Sequence, residues 1–227
     1  DVYKRQAVSG AETVVASTAL VGSTLSVGAA STAYSSGAYE MSVGALDEST
    51  ALVCYADGSS GYERLSCTLL SVAGGGGLTV GSSVQLDGSY ASIPSVAGLA
   101  ADRAVVCNRD GRRYVSASVK CRIVYLSSGS LYAGSELGVN SYGYANYPSV
   151  SAFDSTYAIV CYEDDASGDY PACSVLRRSG TNLYLGTEAV AATVASTLVS
   201  VSALDSSSAV VCYRHESSSS PSYSGRC

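Results

Sequence analysis

The chain has 227 residues and a formal net charge of −6; 47% of its residues are hydrophobic and only 14% are charged. This length suits one large all-β domain or two ordinary domains, and the acidic balance excludes the basic footprint of a nucleic-acid-binding protein. No apolar run approaches the ~18 residues that a membrane-spanning helix needs. We therefore expect neither a nucleic-acid partner nor a membrane span in this chain.

The first six residues (1–6) resemble the in-frame translation of a transposon-end adaptor used in sequencing libraries. Segments of this kind are set aside in reasoning about fold. We expect residues 1–12 to form a disordered start, and the native beginning of the chain to lie outside this sequence.

Three landmarks recur along the chain with a common period of about 53 residues. An apolar block that ends in Cys recurs in steps of 53, 54 and 51 residues, at Cys54, Cys107, Cys161 and Cys212. A second Cys follows each first one after 12 to 15 positions, and a Leu-x-x-Gly segment begins at Leu25, Leu78, Leu131 and Leu183. Three landmarks with one period indicate a tandem repeat.

Each repeat is predicted to form four short strands. A Ser-Val segment such as Ser42-Val43 forms the first strand, and the apolar block that ends in Cys forms the second strand. The third strand contains the other Cys of the repeat, and the fourth strand contains Leu-x-x-Gly. Val, Ile, Tyr and Thr favour strands, and the intervening Gly, Ser, Asn and Asp residues favour turns. The Cys blocks are apolar at consecutive positions, which indicates burial on both faces. Inner strands of a β-propeller blade have that environment.

The repeat therefore predicts an all-β fold, a β-propeller of four-stranded blades. The expected boundaries are a partial blade at 13–39, full blades at 40–91, 92–145 and 146–196, and a partial blade at 197–227. We favour a fragment of a larger ring. The apolar residues that this would leave exposed are Val14, Val15, Leu25, Val199, Val201, Val210 and Val211. The alternative is a closed four-bladed ring, in which the strand around Leu25 pairs with the strand that leads to Cys227.

The eight cysteines predict one disulfide in each repeat. Because each pair spans a single hairpin, its two residues can lie opposite each other at the ~5.5 Å Cα separation of adjacent strands. The expected disulfides are Cys54–Cys67, Cys107–Cys121, Cys161–Cys173 and Cys212–Cys227. Such a framework indicates an oxidising compartment, either extracellular or the lumen of the secretory pathway. A zinc site needs Cys-x-x-Cys or His partners, and the sequence contains one His.

With this pattern the chain resembles extracellular β-propeller repeat proteins that carry a disulfide in each blade, over residues 13–227. The Gly-His…Trp-Asp signature and the Ser-x-Asp-x-Gly-x-Thr-Trp box of sialidase-like blades are both absent, and the sequence has no Trp. The resemblance implies the propeller fold and carries no catalytic residue with it.

The loops that join the repeats are rich in Tyr among Ser, Gly and Asn, a composition typical of recognition surfaces. In a propeller these loops share a face with the Asp that follows each Cys block. The candidate ligand-binding residues are Tyr34, Tyr39, Tyr90, Tyr142, Tyr144, Tyr147, Asp57, Asp110 and Asp164. In the alternative interpretation the tyrosines pack between blades and the aspartates close turns.

The sequence thus predicts a non-enzymatic extracellular module that binds or scaffolds, with a glycan or an extracellular protein as its partner. We expect no cofactor and no catalytic residue; His215 falls in a surface loop. One alternative is a propeller glycosidase or lyase, which needs a non-repeated pair of carboxylates. Another is a repeat stabilised by a cation such as Ca²⁺, with its richest cluster at Asp164, Asp165 and Asp169.

Overall fold

The computed structural model describes residues 13–21, 24–34, 37–58, 63–73, 77–86, 90–111, 118–140, 144–216 and 223–227. The predicted disordered start and the candidate Tyr142 lie outside these residues. The described strands form antiparallel sheets that follow one another along the chain. The described part has no helix long and apolar enough to cross a membrane, and its helical element is a 3-10 turn at Asp165–Ser167.

The described part of the chain starts with a two-stranded hairpin and continues through four sheets, each of which pairs its strands in sequence order. The hairpin consists of β1 (Thr13–Val21) and β2 (Thr24–Tyr34). The first sheet contains β3 (Ala38–Ala45), β4 (Thr50–Asp57), β5 (Arg64–Val72) and β6 (Leu78–Gln85). The second contains β7 (Ala91–Ala100), β8 (Arg103–Asp110), β9 (Ser118–Ser127), β10 (Ser130–Ala133) and β11 (Leu137–Gly138). The third contains β12 (Ala145–Ala152), β13 (Tyr157–Asp164), β14 (Tyr170–Ser179) and β15 (Asn182–Val190). The last contains β16 (Ser196–Ala203), β17 (Ala209–Glu216) and β18 (Tyr223–Arg226).

The fourth strand of the second sheet departs from the predicted plan because it is broken into β10 and β11, both paired with β9. Between the two pieces, the Glu136 carboxylate accepts a hydrogen bond from Arg122 and forms an ion pair with Lys120 at 2.6 Å. Two basic residues of β9 thus contact the segment between the two pieces, and the Leu-x-x-Gly pattern does not predict the break.

The turns between the first and second strands use the aspartates that the sequence places there. The Asp47 carboxylate accepts hydrogen bonds from the backbone N–H groups of Ser49 and Thr50, both at 2.7 Å. Asp154 and Asp205 make the same pair of bonds two and three residues ahead. These backbone donors stabilise the ionised form, and the bond from Ser49 contributes most to lowering the pKa of Asp47.

The structure contains the four disulfides that the Cys spacing predicts: Cys54–Cys67, Cys107–Cys121, Cys161–Cys173 and Cys212–Cys227. In the first three sheets the two cysteines are direct cross-strand partners. Their Cα atoms are 4.0–4.1 Å apart, closer than the expected ~5.5 Å. That spacing is nearer to a non-hydrogen-bonded cross-strand pair, in which side chains approach most closely.

The sheets pack face to face in the manner of propeller blades. The first strands β3, β7, β12 and β16 lie side by side in that order. Buried clusters fill each space between consecutive sheets, and they contain the consecutive apolar residues of the Cys blocks. Val105 and Val106 are both fully buried, one facing each neighbouring sheet. The burial of both faces is what their non-alternating pattern predicts.

Within the described residues, β2 pairs with β1, and the structure shows no pairing of β2 with β18. The closed four-bladed ring requires that second pairing, so the ring is not seen here. The expected exposure of Val199 and Val201 is wrong, because both are buried against the third sheet, and Val211 is half-buried against the same cluster. The side chains of Val14, Val15 and Leu25 lie outside the part of the chain whose burial is described. Val210, which points to the opposite face of the last sheet, is exposed as expected.

Candidate ligand-binding site

The predicted aspartates and tyrosines meet at one end of each sheet. The second strand of each of the first three sheets ends at a predicted aspartate: Asp57, Asp110 or Asp164. Each aspartate pairs with the first residue of the neighbouring first strand. A backbone hydrogen bond closes each position: Gly58 N–H to Gly37 at 2.9 Å, Gly111 N–H to Tyr90 at 3.0 Å, and Asp165 N–H to Tyr144 at 2.9 Å. We call this the loop end of the sheets.

At the first sheet, the tyrosines of the loop end pack against protein. The Tyr34 ring stacks on Tyr55 with centroids 4.9 Å apart. The Tyr39 ring lies directly over Gly58, where a β-carbon would collide with it. Both rings thus contact other parts of the protein, and ligand binding by Tyr34 and Tyr39 stays a prediction.

At the second sheet, the predicted aspartate belongs to an ion network. Asp110 and Glu136 both form ion pairs with Lys120. Burial alone would lower the pKa of Lys120, but the hydrogen bonds to these two carboxylates outweigh burial and raise that pKa. Tyr90 lies nearby, half-buried, in a left-handed backbone conformation with φ of 55°. The Asp110 carboxylate is thus neutralised locally.

At the third sheet, Asp164 is buried and acts as a cap. Its carboxylate accepts hydrogen bonds from Ala166 N–H at 3.2 Å and from the Ser167 hydroxyl at 2.6 Å, which fixes the 3-10 turn. The turn ends at Gly168, whose φ of 97° suits glycine. The next acidic residue, Asp165, is the first residue of this turn.

Three other carboxylates come together beside that turn. Glu163, Asp165 and Asp169 have carboxylate oxygens within 4.8 Å of one another. The Asn146 side-chain amide donates to both oxygens of Asp165, at 3.3 and 3.4 Å. Tyr144, with 38% of its surface exposed, precedes the strand that holds Asn146. We call Tyr144, Asn146, Glu163, Asp165 and Asp169 the third-sheet site.

The third-sheet site is a cluster of hydrogen-bond acceptors. Like charges this close repel one another, so a ligand that donates hydrogen bonds or carries positive charge would relieve the repulsion. The sequence predicted a cluster of Asp164, Asp165 and Asp169. In the structure Glu163 takes the place of Asp164 in the cluster, because the Asp164 carboxylate caps the 3-10 turn. Binding of a cation such as Ca²⁺ stays a prediction.

A separate pair of carboxylates lies where the first two sheets meet. The Glu40 carboxylate accepts a hydrogen bond from Ile93 N–H at 2.8 Å. Burial and then the charge of Glu40 raise the pKa of Glu63, and Arg109 opposes that shift. Neither glutamate recurs in the other repeats. Glu40 and Glu63 thus interact electrostatically as a non-repeated carboxylate pair.

Sequence reasoning missed Asn146, Glu163, Glu40 and Glu63. Asn146 lies between two of the candidate tyrosines, and Glu163 immediately precedes a candidate aspartate, so proximity in sequence was an available signal. No signal in the sequence indicated that Glu40 and Glu63 interact. The expectation that His215 falls in a surface loop is wrong, because His215 is half-buried within β17, where it pairs with Ser196 and Ser224. Tyr147 is half-buried at a bulge in β12, with φ of 49°.

No family model matches the chain, and no curated protein matches it. One solved structure is similar in fold: the subtype N11 neuraminidase-like protein of the flat-faced bat isolate H18N11. The identity is 8%, the TM-score is 0.31, and the match covers 83% of this chain and 85% of that chain. A likeness this weak carries no argument about activity.

Proposed function

We propose that this protein is a non-enzymatic extracellular module that binds glycans at the third-sheet site. The observation that carries the proposal is the meeting of three carboxylates, the Asn146 amide and the exposed Tyr144 at one sheet end. The four disulfides are consistent with an extracellular location.

The residue types of this site suit sugar hydroxyl groups. Carboxylates accept hydrogen bonds from hydroxyls, and such charge-assisted bonds are the stronger kind. An amide side chain both donates and accepts, and a tyrosine ring offers a flat apolar face with a polar tip. Asp57 and Asp110 lie at the same end of other sheets, but Asp110 is neutralised by Lys120. Among the described residues, the third sheet is the place where three carboxylates come together.

The test is a glycan array followed by calorimetric titration of the glycans that bind. Asp165→Asn keeps the shape of the side chain and removes its charge, and we expect it to weaken binding at least tenfold. That factor corresponds to about 1.4 kcal/mol, the lower range for a hydrogen bond to a charged group. Tyr144→Ala should weaken binding as well. Tyr132→Ala is the matched control, because Tyr132 is as exposed but lies on β10.

Two results would overturn the proposal. One is the absence of any glycan that binds at millimolar concentration, which would indicate a scaffold that binds no glycan. The other is a ligand whose affinity is unchanged by both Asp165→Asn and Tyr144→Ala.

A second candidate function, glycoside hydrolysis, is favoured by the Glu40–Glu63 pair. A carboxyl whose pKa is raised beside a second carboxylate is the arrangement that supplies a general acid and its partner. Hydrolysis of aryl glycosides that is lost in Glu63→Gln and in Glu40→Gln would support this candidate. Hydrolysis equal in wild type and both variants, or none at all, would remove it.

A further inference from the structure

Two glutamates and an arginine lie around the start of β7, where the first two sheets meet. Each of them is anchored by a hydrogen bond to one of three consecutive residues, 91–93. The bonds are Ala91 N–H to the Glu63 carbonyl at 3.0 Å, Arg109 Nε to the Ser92 hydroxyl at 3.1 Å, and Ile93 N–H to the Glu40 carboxylate at 2.8 Å. We call Glu40, Glu63, Ser92 and Arg109 the junction site.

Arg109 is buried, but the tip of its side chain is open. The residue is 8% exposed, and its Nε is held by the Ser92 hydroxyl. Within the described ranges, its two terminal nitrogens form no hydrogen bond or ion pair, and neither belongs to the fully enclosed polar atoms. Guanidinium N–H groups in a desolvated place cost free energy unless an acceptor reaches them. The Arg109 tip is therefore placed to receive an acceptor from a ligand.

The bond between arginine Nε and a hydroxyl is a feature of the repeat, and it does not account for the Arg109 tip. Arg214, at the equivalent position of the last sheet, donates its Nε to the Thr197 hydroxyl at 2.7 Å. There the guanidinium also lies over the Tyr223 ring, 4.5 Å from its centroid. Arg109 has no such ring over its tip among the residues that the structure describes. The hydroxyl thus orients the arginine side chain, and at Arg109 the terminal nitrogens remain available.

The two glutamates interact with Arg109 electrostatically but do not pair with it. Glu63 is half-buried; burial and then the charge of Glu40 raise its pKa, and the charge of Arg109 opposes that shift. In the part of the chain that the structure describes, neither carboxylate forms an ion pair with Arg109. Glu40 is exposed, so the junction site is accessible from solvent. The site thus holds two negative charges and one positive charge that influence one another and stay apart.

We propose that the junction site binds an α-amino acid as its zwitterion, with the ligand carboxylate on Arg109 and the ligand ammonium group on Glu40 and Glu63. A guanidinium group binds a carboxylate through two parallel N–H donors, and an ammonium group offers three donors to carboxylates. A simple anion would be repelled by the two glutamates, and a simple cation by Arg109. A ligand that carries both charges pairs with all three groups. The junction site shares no residue with the third-sheet site, so this inference goes beyond the proposed function.

The test is a titration of the isotope-labelled full chain with glycine, followed by backbone amide chemical shifts. We expect the largest shifts at residues 91–93 and at Arg109. Acetate and methylammonium, which each carry one of the two charges, should bind at least tenfold more weakly than glycine. Glu40→Gln keeps an oxygen for Ile93 N–H and removes the charge, and it should weaken glycine binding at least tenfold. Glu48→Gln, at an exposed position after β3, is the matched control and should bind like the wild type.

A second pair of variants tests the arginine. Arg109→Lys keeps the positive charge but loses the planar pair of donors, and it should weaken glycine binding at least tenfold. Arg214→Lys makes the same change at the equivalent position of the last sheet and should leave glycine binding unchanged. Circular dichroism checks that the strands persist; if Arg109→Lys does not fold, the exposed Glu40→Gln decides.

The results for the two sites can be told apart. Asp165→Asn, which removes a carboxylate from the third-sheet site, should bind glycine like the wild type, whatever its effect on glycans. The proposal is overturned if glycine does not bind at millimolar concentration, if acetate or methylammonium binds as well as glycine, or if Glu40→Gln binds glycine like the wild type.

Discussion

Asn108 offers a direct test of the packing between the first two sheets. It follows Cys107, at the position where the other repeats have Tyr55, Tyr162 and Tyr213. The Asn108 side chain is fully buried, and neither its Nδ2 nor its Oδ1 has a hydrogen-bond partner. Tyr162, by contrast, donates its hydroxyl to Glu188, and burial raises the pKa of that hydroxyl.

Replacing Asn108 by Leu should stabilise the protein. A buried, unsatisfied polar group costs about 1–3 kcal/mol, and a leucine of similar size removes that cost. The position holds a larger tyrosine in other repeats, so overpacking should stay below about 1.5 kcal/mol. We therefore expect the free energy of unfolding to rise by about 1–2 kcal/mol in urea titrations, with an unchanged slope.

Asn140→Leu is the matched control and should have the opposite sign. The Asn140 Oδ1 accepts a hydrogen bond from Val119 N–H at 2.8 Å, and Val119 is fully buried. Its loss would orphan that N–H and lower stability by about 1–3 kcal/mol. Destabilisation by Asn108→Leu of more than ~1 kcal/mol would refute the reasoning, because it would mean that the amide is satisfied.

Three further outcomes are expected. Ser95→Ala should lower the free energy of unfolding by about 1–3 kcal/mol, since it orphans the Val150 N–H, whereas the exposed Ser202→Ala should change it by less than ~0.5 kcal/mol. Under graded reductant, thiol labelling with mass spectrometry should find Cys212–Cys227 opened first, because Cys227 is exposed and the other three disulfides are buried; simultaneous opening would contradict this. Glu63→Gln should raise stability at neutral pH by less than about 1 kcal/mol, after screening is allowed for. Since burial raises the folded pKa of Glu63 above the ordinary value of 4.5, the gain should fade in thermal melts as the pH falls through the folded pKa and should be gone below 4.5; a gain that grows in acid would be inconsistent.

Much of the fold could be predicted because its signals are local. The 12-to-15-residue Cys spacing allows only a hairpin, which fixes the cross-strand disulfides. Consecutive valines such as Val105-Val106 require two buried faces, which fixes the stacking of sheets. The break between β10 and β11 could not be predicted, because the second repeat has the same Leu-x-x-Gly segment as the repeats whose fourth strand is continuous.

The candidate site was predictable only in part. The sequence places aspartate and tyrosine at one end of each sheet, but it does not say which carboxylates turn inward. Asp164 caps a turn and Asp110 binds Lys120, and these choices depend on side-chain orientation at loops. The Ser-Val segment was visible as a repeat, yet the partner of each serine lies one repeat away.

The most direct test of the proposed function is chemical-shift mapping during titration with a glycan that binds on the array. The account predicts that the largest amide shifts fall at residues 144–147 and 163–169, and that they disappear in Asp165→Asn. Shifts concentrated at the opposite end of the sheets, around Tyr132 and Tyr184, would contradict binding at the third-sheet site.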